Sequence, residues 1–425
     1  MVSLEEIRKI TSGVEALRGD MVRCLQELVR IPSVVGEEKK AQSYMATLYR
    51  DLGLEVKTIT ADYTRVCRHP AFVESGKDFT DRPNVSARWT GSPDKRSLIL
   101  NGHVDVVSPE PVESWTKDPW GGEIEGNRIY GRGAGDMKAG LVANAFAVKV
   151  LKETGLDPGG SVILESVVDE EAGGAGGTLT CLLNGDEADA FLCTEPHGIH
   201  VTIAHAGISH FRVRVTGRTA HGGLAHEGIN AIGKMIPIYR ALERLDQIRG
   251  EKTRYPLFDK GSGRSCHLSV GKIQGGDWPS TVAGAVDMEC RISFIPGERL
   301  FEIKELVEET IHAVAQKDPW LKENPPVVKW FGWQTEPWQQ DAKHPFIVCL
   351  KEAAETMAER KVSFIGRASG LDARFAPYFG MPSACIGPRA GNIHGIDEFV
   401  EIPSVLETCK ILSLVILNWC GQMKS

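Results

Sequence analysis

The residues able to do chemistry gather at the ends of short apolar runs. Asn101-Gly-His103-Val-Asp105 follows the run Ser97–Leu100 directly. In open α/β sheets, sites collect at the carboxyl ends of strands, so His103 stands where a ligand is expected. Asp105, two residues on, shares its side of an extended segment and could accept the second imidazole N–H. A histidine placed here also serves as an ordinary structural residue, and both readings stand at this point. Gly131-Arg-Gly-Ala-Gly-Asp136-Met-Lys delivers Asp136 to the start of a helix, where it reads as an N-cap or as a ligand. The glycines lack both the dinucleotide spacing and the Lys-Ser/Thr ending of a phosphate loop, which argues against nucleotide binding.

Three acids, Asp169-Glu170-Glu171, close the run SVILESVV, and Glu195-Pro196-His197 closes ADAFLCT. Near the carboxyl terminus, Gly391-Asn-Ile-His394-Gly-Ile-Asp397-Glu398 puts another histidine in a turn-rich loop. Clustered carboxylates repel and are expensive to assemble unless a cation neutralises them, although a solvated acidic turn is the alternative for the triple acid.

The elements that must position these residues read as an α/β chain. Ala41, Tyr44, Met45, Leu48 and Leu52 recur at helical spacing and stop at Gly53. Strands are expected at EVKTIT, SLIL, SVILESVV and ADAFLCT, with a helix from about Lys138 to Glu153 among them; that alternation implies a sheet with substantial parallel character. From Gly207 the texture changes to strand, helix (Ile229 to Leu245), two strands (HLSVGKI and VDMECRISF) and helix (Leu300 to Val314), the order of a small α+β domain inserted into a larger one. The expected division is therefore 1–206, an insert over 207–322, and a return to the first domain over 323–425, after a Pro-rich patch at 319–326.

A chain of 425 residues exceeds what one core usually organises, in keeping with two domains. A net charge of -7 offers no general attraction to nucleic acid or anionic lipid. The opening MVSLEEIRKI lacks the apolar run of a signal peptide, and ILSLVILNW at 411–419 is about half a membrane span, so a buried final helix and a cytoplasmic location are expected. The 10 cysteines form no C-x-x-C pair and read as reduced core residues.

Taken in order, GHVDVV, GRGAGDMKAG, DEEAGG, TEP and the late H-G-I-D-E segment resemble the motif set of the M20 metallopeptidase family, which includes acetylornithine deacetylase and succinyl-diaminopimelate desuccinylase. The similarity covers nearly the whole chain. It implies a zinc-peptidase-like catalytic domain with an inserted α+β dimerisation domain, and two zinc ions per subunit, cobalt or manganese being alternatives. By the same resemblance Asp136 bridges the ions, His103 and Glu195 complete one site, Glu171 and His394 complete the other, and Glu170 is the general base. Gly217-Arg-Thr-Ala-His221-Gly-Gly resembles the segment whose histidine reaches the neighbouring subunit's site in a homodimer, which makes His221 an oxyanion stabiliser, with His226 a weaker candidate. Arg291 resembles the arginine that holds a substrate carboxylate.

The expected activity is hydrolysis of the amide bond of a small N-acyl amino acid or related N-acyl amine. Dipeptidase, carboxypeptidase and N-formyl aminopyrimidine deformylase activities use the same bond chemistry. A noncatalytic metal-binding dimer would need neither Glu170 nor His221. Two departures bear on the substrate: Ser280-Thr281-Val282-Ala283 stands where relatives have Asn-Val-Ile-Pro, and Ser369-Gly370-Leu371-Asp372 where they have Gly-Thr-Ser-Asp.

Overall fold

Buried apolar strands build the first of two compact units, which comprises residues 1–203, 340–365 and 371–425. The computed structural model describes residues 2–258 and 263–424. Ile99, Leu100, Ile163, Leu164, Phe191 and Leu192 are fully buried, as central strands covered on both faces require. Their strands, Val162–Val167, Leu98–His103 and Phe191–Cys193, lie side by side and parallel, and Ser383–Cys385 joins in parallel beyond the last. On the other flank Asn84–Trp89 and Glu55–Ile59 add antiparallel strands. Part of the expected parallel character is thus confined to the centre of the sheet, where the site lies.

Helix Ala139–Glu153 is buried continuously from Ala139 to Val148. It packs against the carboxyl-terminal helix Ile402–Cys420. A helix apolar on all sides belongs in a core. Ile402–Cys420 is long and apolar enough to cross a membrane, yet it is buried along most of its length within this unit. Close approach of Ala139–Glu153 to the sheet depends on Gly140, where a Cβ would lie 2.2 Å from the Thr194 carbonyl oxygen. The cysteines are mostly buried and form no disulfide among the described residues.

The second unit comprises residues 204–339 and 366–370. Its antiparallel sheet runs in the order Leu268–Gly275, Ala285–Phe294, Gly207–Thr216, Val327–Thr335. Phe211, Val213, Met288 and Ile292 pack with Met235 and Leu242 of helix Ala231–Lys252 and with Val307 and Ile311 of helix Leu300–Ala315. This unit runs past the boundary expected at residue 322. The Pro-rich patch holds only a short helix, Pro319–Glu323, after which Val327–Thr335 adds a fourth strand beside Gly207–Thr216. Trp330 anchors that strand, its ring 5.0 Å from that of Phe211.

Candidate active site

Parallel pairing puts three strand ends at one edge of the first unit's sheet. His103 lies opposite Val167, which Asp169, Glu170 and Glu171 follow, and Asn101 lies opposite Cys193, which Glu195 follows. Asp136 and His394 arrive by another route. Arg128–Tyr130 pairs with Phe399–Glu401, Tyr130 opposite Phe399, so the loop after the first strand meets the loop before the second. Gly133, in the left-handed region at φ 77°, turns the chain into the segment carrying Asp136. Asp136 does not cap the following helix, whose N-cap position is Lys138.

The result is two ligand sets sharing one carboxylate. His103 Nε2 lies 3.1 Å from Asp136 Oδ1 and 3.7 Å from Glu195 Oε1. His394 Nε2 lies 3.3 Å from Asp136 Oδ2 and 3.0 Å from Glu171 Oε1. Each Asp136 oxygen therefore faces a different imidazole, and within each trio the ligand atoms lie within 4.8 Å of one another. Glu170 Oε2 is 3.9 Å from His103 Nε2, beside the first set and outside both trios.

Four carboxylates face two imidazoles here, and the electrostatics record the imbalance. Burial pushes Glu195 and Glu170 well above the usual carboxylate range, reinforced for Glu195 by Asp136 and opposed in both by His103. Burial would lower His103, but its bond to Asp136 and the charges of Glu195 and Glu170 hold it well above its ordinary value. The bonds to Asp136 and Glu171 raise His394 to about 10. Burial would raise Asp136, yet its bonds to the two histidines hold it low. Two imidazole-carboxylate sets with an anion between them fit a pair of divalent cations.

Asp105 is fully buried but serves differently from the expectation. His103 Nδ1 lies 2.9 Å from the Asp105 backbone carbonyl, while the nearer carboxylate oxygen is 3.7 Å away. The carboxylate instead accepts the amides of Glu170 at 3.3 Å and Glu171 at 3.1 Å. Those amides open a tight turn, where a carboxylate satisfies otherwise unpaired donors.

His221, His226 and Arg291 belong to the second unit. His221 is exposed, and its Nδ1 accepts the Gly223 amide at 3.1 Å, which leaves Nε2 as the protonated, donating nitrogen. Ser280 lies directly against this loop, its carbonyl accepting the Gly222 amide at 2.6 Å. Arg291 Nη2 donates to the Ala368 carbonyl at 2.7 Å, and no carboxylate lies within ion-pair reach among the described residues. Asp372, of the other divergent segment, is buried in the first unit and accepts the Thr178 hydroxyl at 2.6 Å.

Sequence reasoning missed the pair that ties the two outer loops together. Glu398 Oε1 accepts the amides of Gly135 and Asp136, both at 3.0 Å, and its Oε2 accepts Arg132 Nη1 at 2.5 Å. Arg132 Nη2 also reaches the Gly395 carbonyl at 3.1 Å, next to His394. Both residues lay inside recognised segments, but nothing in their spacing says that they meet.

Fold and site together define a metal-dependent amidohydrolase. Residues 99–418 match peptidase family M20/M25/M40, and the chain belongs to that family. It is 30% identical over 363 residues to the N-formyl-4-amino-5-aminomethyl-2-methylpyrimidine deformylase of Bacillus subtilis, covering 80% of this chain and 84% of the relative. A protein of the same name from Halalkalibacterium halodurans is 27% identical across the full length of both. Among solved structures, a tripeptidase from Staphylococcus aureus shares the fold with a TM-score of 0.74 at 20% identity, covering 95% of this chain and 99% of that one.

Proposed function

We propose that this chain is a two-zinc enzyme that removes the acyl group from a small N-acyl amine, with N-formyl aminopyrimidines the first substrates to test. The observation that carries the reading is Asp136, whose two oxygens face separate imidazole-carboxylate sets, with Glu170 alongside but outside both. The similarity to the two deformylases, full-length for one and over 80% of this chain for the other, favours a formyl group over a larger acyl chain.

His103, Asp136 and Glu195 would hold one ion and Asp136, Glu171 and His394 the other; imidazole with carboxylate suits zinc, and cobalt or manganese accept the same donors. Bound there, the pair supplies Lewis-acid polarisation of the scissile carbonyl and activation of the attacking water. Glu170 accepts a proton from that water as its oxygen bonds to the carbonyl carbon. The same carboxyl then delivers the proton to the departing nitrogen as the C–N bond breaks. Asp105 fixes the backbone from which Glu170 projects.

The partner subunit's His221 donates Nε2–H to the oxyanion that forms on the carbonyl oxygen. A homodimer through the second unit is supported by its exposed apolar side chains, Ile232 and Ile236 on helix Ala231–Lys252, Ile273 on the edge strand Leu268–Gly275, and Trp278 beyond it. Arg291, with no carboxylate in ion-pair reach among the described residues, is available to an anionic substrate group. Mostly buried cysteines that form no disulfide among the described residues accord with a cytoplasmic location.

The test is turnover by purified, zinc-loaded protein of N-formyl-4-amino-5-aminomethyl-2-methylpyrimidine, set beside N-acetyl and N-succinyl amino acids and dipeptides. Glu170→Ala should keep both ions and lose most turnover. Absence of hydrolysis across the set, or near-normal activity in Glu170→Ala, defeats the proposal.

A further inference from the structure

The turn Glu170–Ala172 is short, and both ends bend through conformations that disfavour ordinary side chains. Asp169 has φ 71°, Gly173 has φ 122° and Gly174 has φ 72°. Such a turn does not keep its shape unaided, because residues held in the left-handed region persist only where their surroundings over-determine them. Asp105 secures the two amides in the middle. Each flank is secured by a buried arginine that belongs to no ligand set.

At the leading flank, Arg82 Nη2 donates to Asp169 Oδ1 at 3.1 Å and to Glu38 Oε1 at 2.7 Å, with Nε on Glu38 Oε2 at 3.0 Å. Asp169 Oδ2 accepts the Gly176 amide at 3.1 Å. At the trailing flank, Arg374 Nη2 donates to the Gly173 carbonyl at 2.6 Å and Nη1 to the Ala71 carbonyl at 3.0 Å. Its guanidinium lies 3.9 Å over the Phe375 ring, and no carboxylate is within ion-pair distance among the described residues. A buried cation held by two backbone carbonyls and an aromatic face, with no partner for its Nε among the described residues, does little for net stability, since burial itself disfavours its charge. Its geometric effect is specific: it fixes the carbonyl two residues beyond Glu171.

Both clamps depend on the long connection between strands Glu55–Ile59 and Asn84–Trp89. That connection contributes Arg82 itself and the Ala71 carbonyl, and packs Val73 and Phe79 where a Cβ at Gly173 or Gly176 would fall 2.6 Å or 2.7 Å away. We infer that Arg82 and Arg374 are positioning residues for Glu170, gripping the turn at its two ends so that the carboxylate stays aligned for proton transfer. The inference rests on the proposed role of Glu170. Glu171 has an ion to anchor it when the site is loaded, whereas Glu170 has none, so a loosened turn misplaces the base before it releases a ligand. Misplacement of a reacting group by about 1 Å costs roughly 10²-fold in rate.

Arg374 is the variant to make, because no carboxylate is ion-paired with it among the described residues; Arg374→Lys and Arg82→Lys provide gentler companions. In zinc-loaded protein acting on N-formyl-4-amino-5-aminomethyl-2-methylpyrimidine, Arg374→Ala should lower kcat about 10- to 100-fold, with KM within about twofold and two ions retained. Methylguanidinium should restore part of the rate. Unchanged kcat, or a loss of rate that tracks loss of metal, overturns the inference. If the wild type turns over none of the amides, the function reading fails on its own, and hydrogen exchange decides the clamp. Faster exchange confined to the peptide around residues 168–174 in Arg374→Ala supports it, and unchanged exchange there refutes it.

Discussion

Replacing Asp136 by asparagine keeps the shape of the side chain and removes one charge from the middle of the site. Oδ1 sits 3.1 Å from the His103 imidazole and Oδ2 3.3 Å from that of His394, so the substitution leaves one amide nitrogen facing a nitrogen ligand and one oxygen without its charge. The carboxylate is about one-seventh exposed and its neighbours Glu195 and Glu171 about half that, so solvent screens the loss only weakly. Removing one partner from a buried charge pair costs about 3–5 kcal/mol, equivalent to roughly 10²- to 10³-fold or more in an affinity. Because the aspartate serves both sets, both ions should weaken by amounts of this order. Glu195→Gln should weaken mainly the ion shared with His103, and Glu171→Gln mainly the ion shared with His394. Competition against a chromophoric chelator, with metal content measured after dialysis, reads all three variants. Two ions held by Asp136→Asn with wild-type affinity, or a loss confined to one of them, would refute the shared-carboxylate geometry.

The two metal positions should also differ in lability, since the His103 side chain is 1% exposed and that of His394 is 50% exposed. A limiting chelator should remove the His394 ion first, and His394→Ala should bind one equivalent instead of two. Metal uptake should release protons. With its metal-free pKa raised to about 10, His394 carries a proton at pH 7–9 that an incoming ion must displace, so apparent affinity at that position should rise about tenfold per pH unit up to about 10. Titrating zinc into weakly buffered metal-free protein with an indicator dye measures this, and uptake without acidification would contradict it. The linkage to folding has the opposite sign: the raised pKa stabilises the metal-free fold fully below its unfolded value near 6.5, and that contribution is lost as pH rises through about 10. Glu398→Ala should cost about 3–5 kcal/mol by stranding buried Arg132, and a second change, Arg132→Leu, should recover part of it. Equal thermal unfolding of Glu398→Ala and wild type would remove Glu398 from the frame of the site.

Legibility followed the range of the interactions involved. Strands at Leu98–His103 and Val162–Val167 announce themselves because every residue in them is buried, and helix Ala139–Glu153 because its apolar run is long enough to be nothing else. Placing chemistry at their ends then needed only the rule that parallel strands share an edge. Asp136 was a different case, ambiguous between cap and ligand until the motif order resolved it, because its meeting with His394 depends on Tyr130 pairing with Phe399 across most of the chain. The strand Val327–Thr335 was passed over because the prolines before it read as a border.

The arginines fared worst, and for a physical reason. Arg82, Arg132 and Arg374 are all buried, yet an arginine in text reads as solvated, since burial of a guanidinium is rare unless partners pay its desolvation. Those partners are Glu38 and Asp169 for Arg82, Glu398 for Arg132, and the carbonyls of Ala71 and Gly173 for Arg374, at separations from 44 to 303 residues. Ligands and base can be read one at a time because each has an intrinsic chemistry. A residue that acts only by holding another in place has no signature of its own, and becomes visible only when the fold brings the two together.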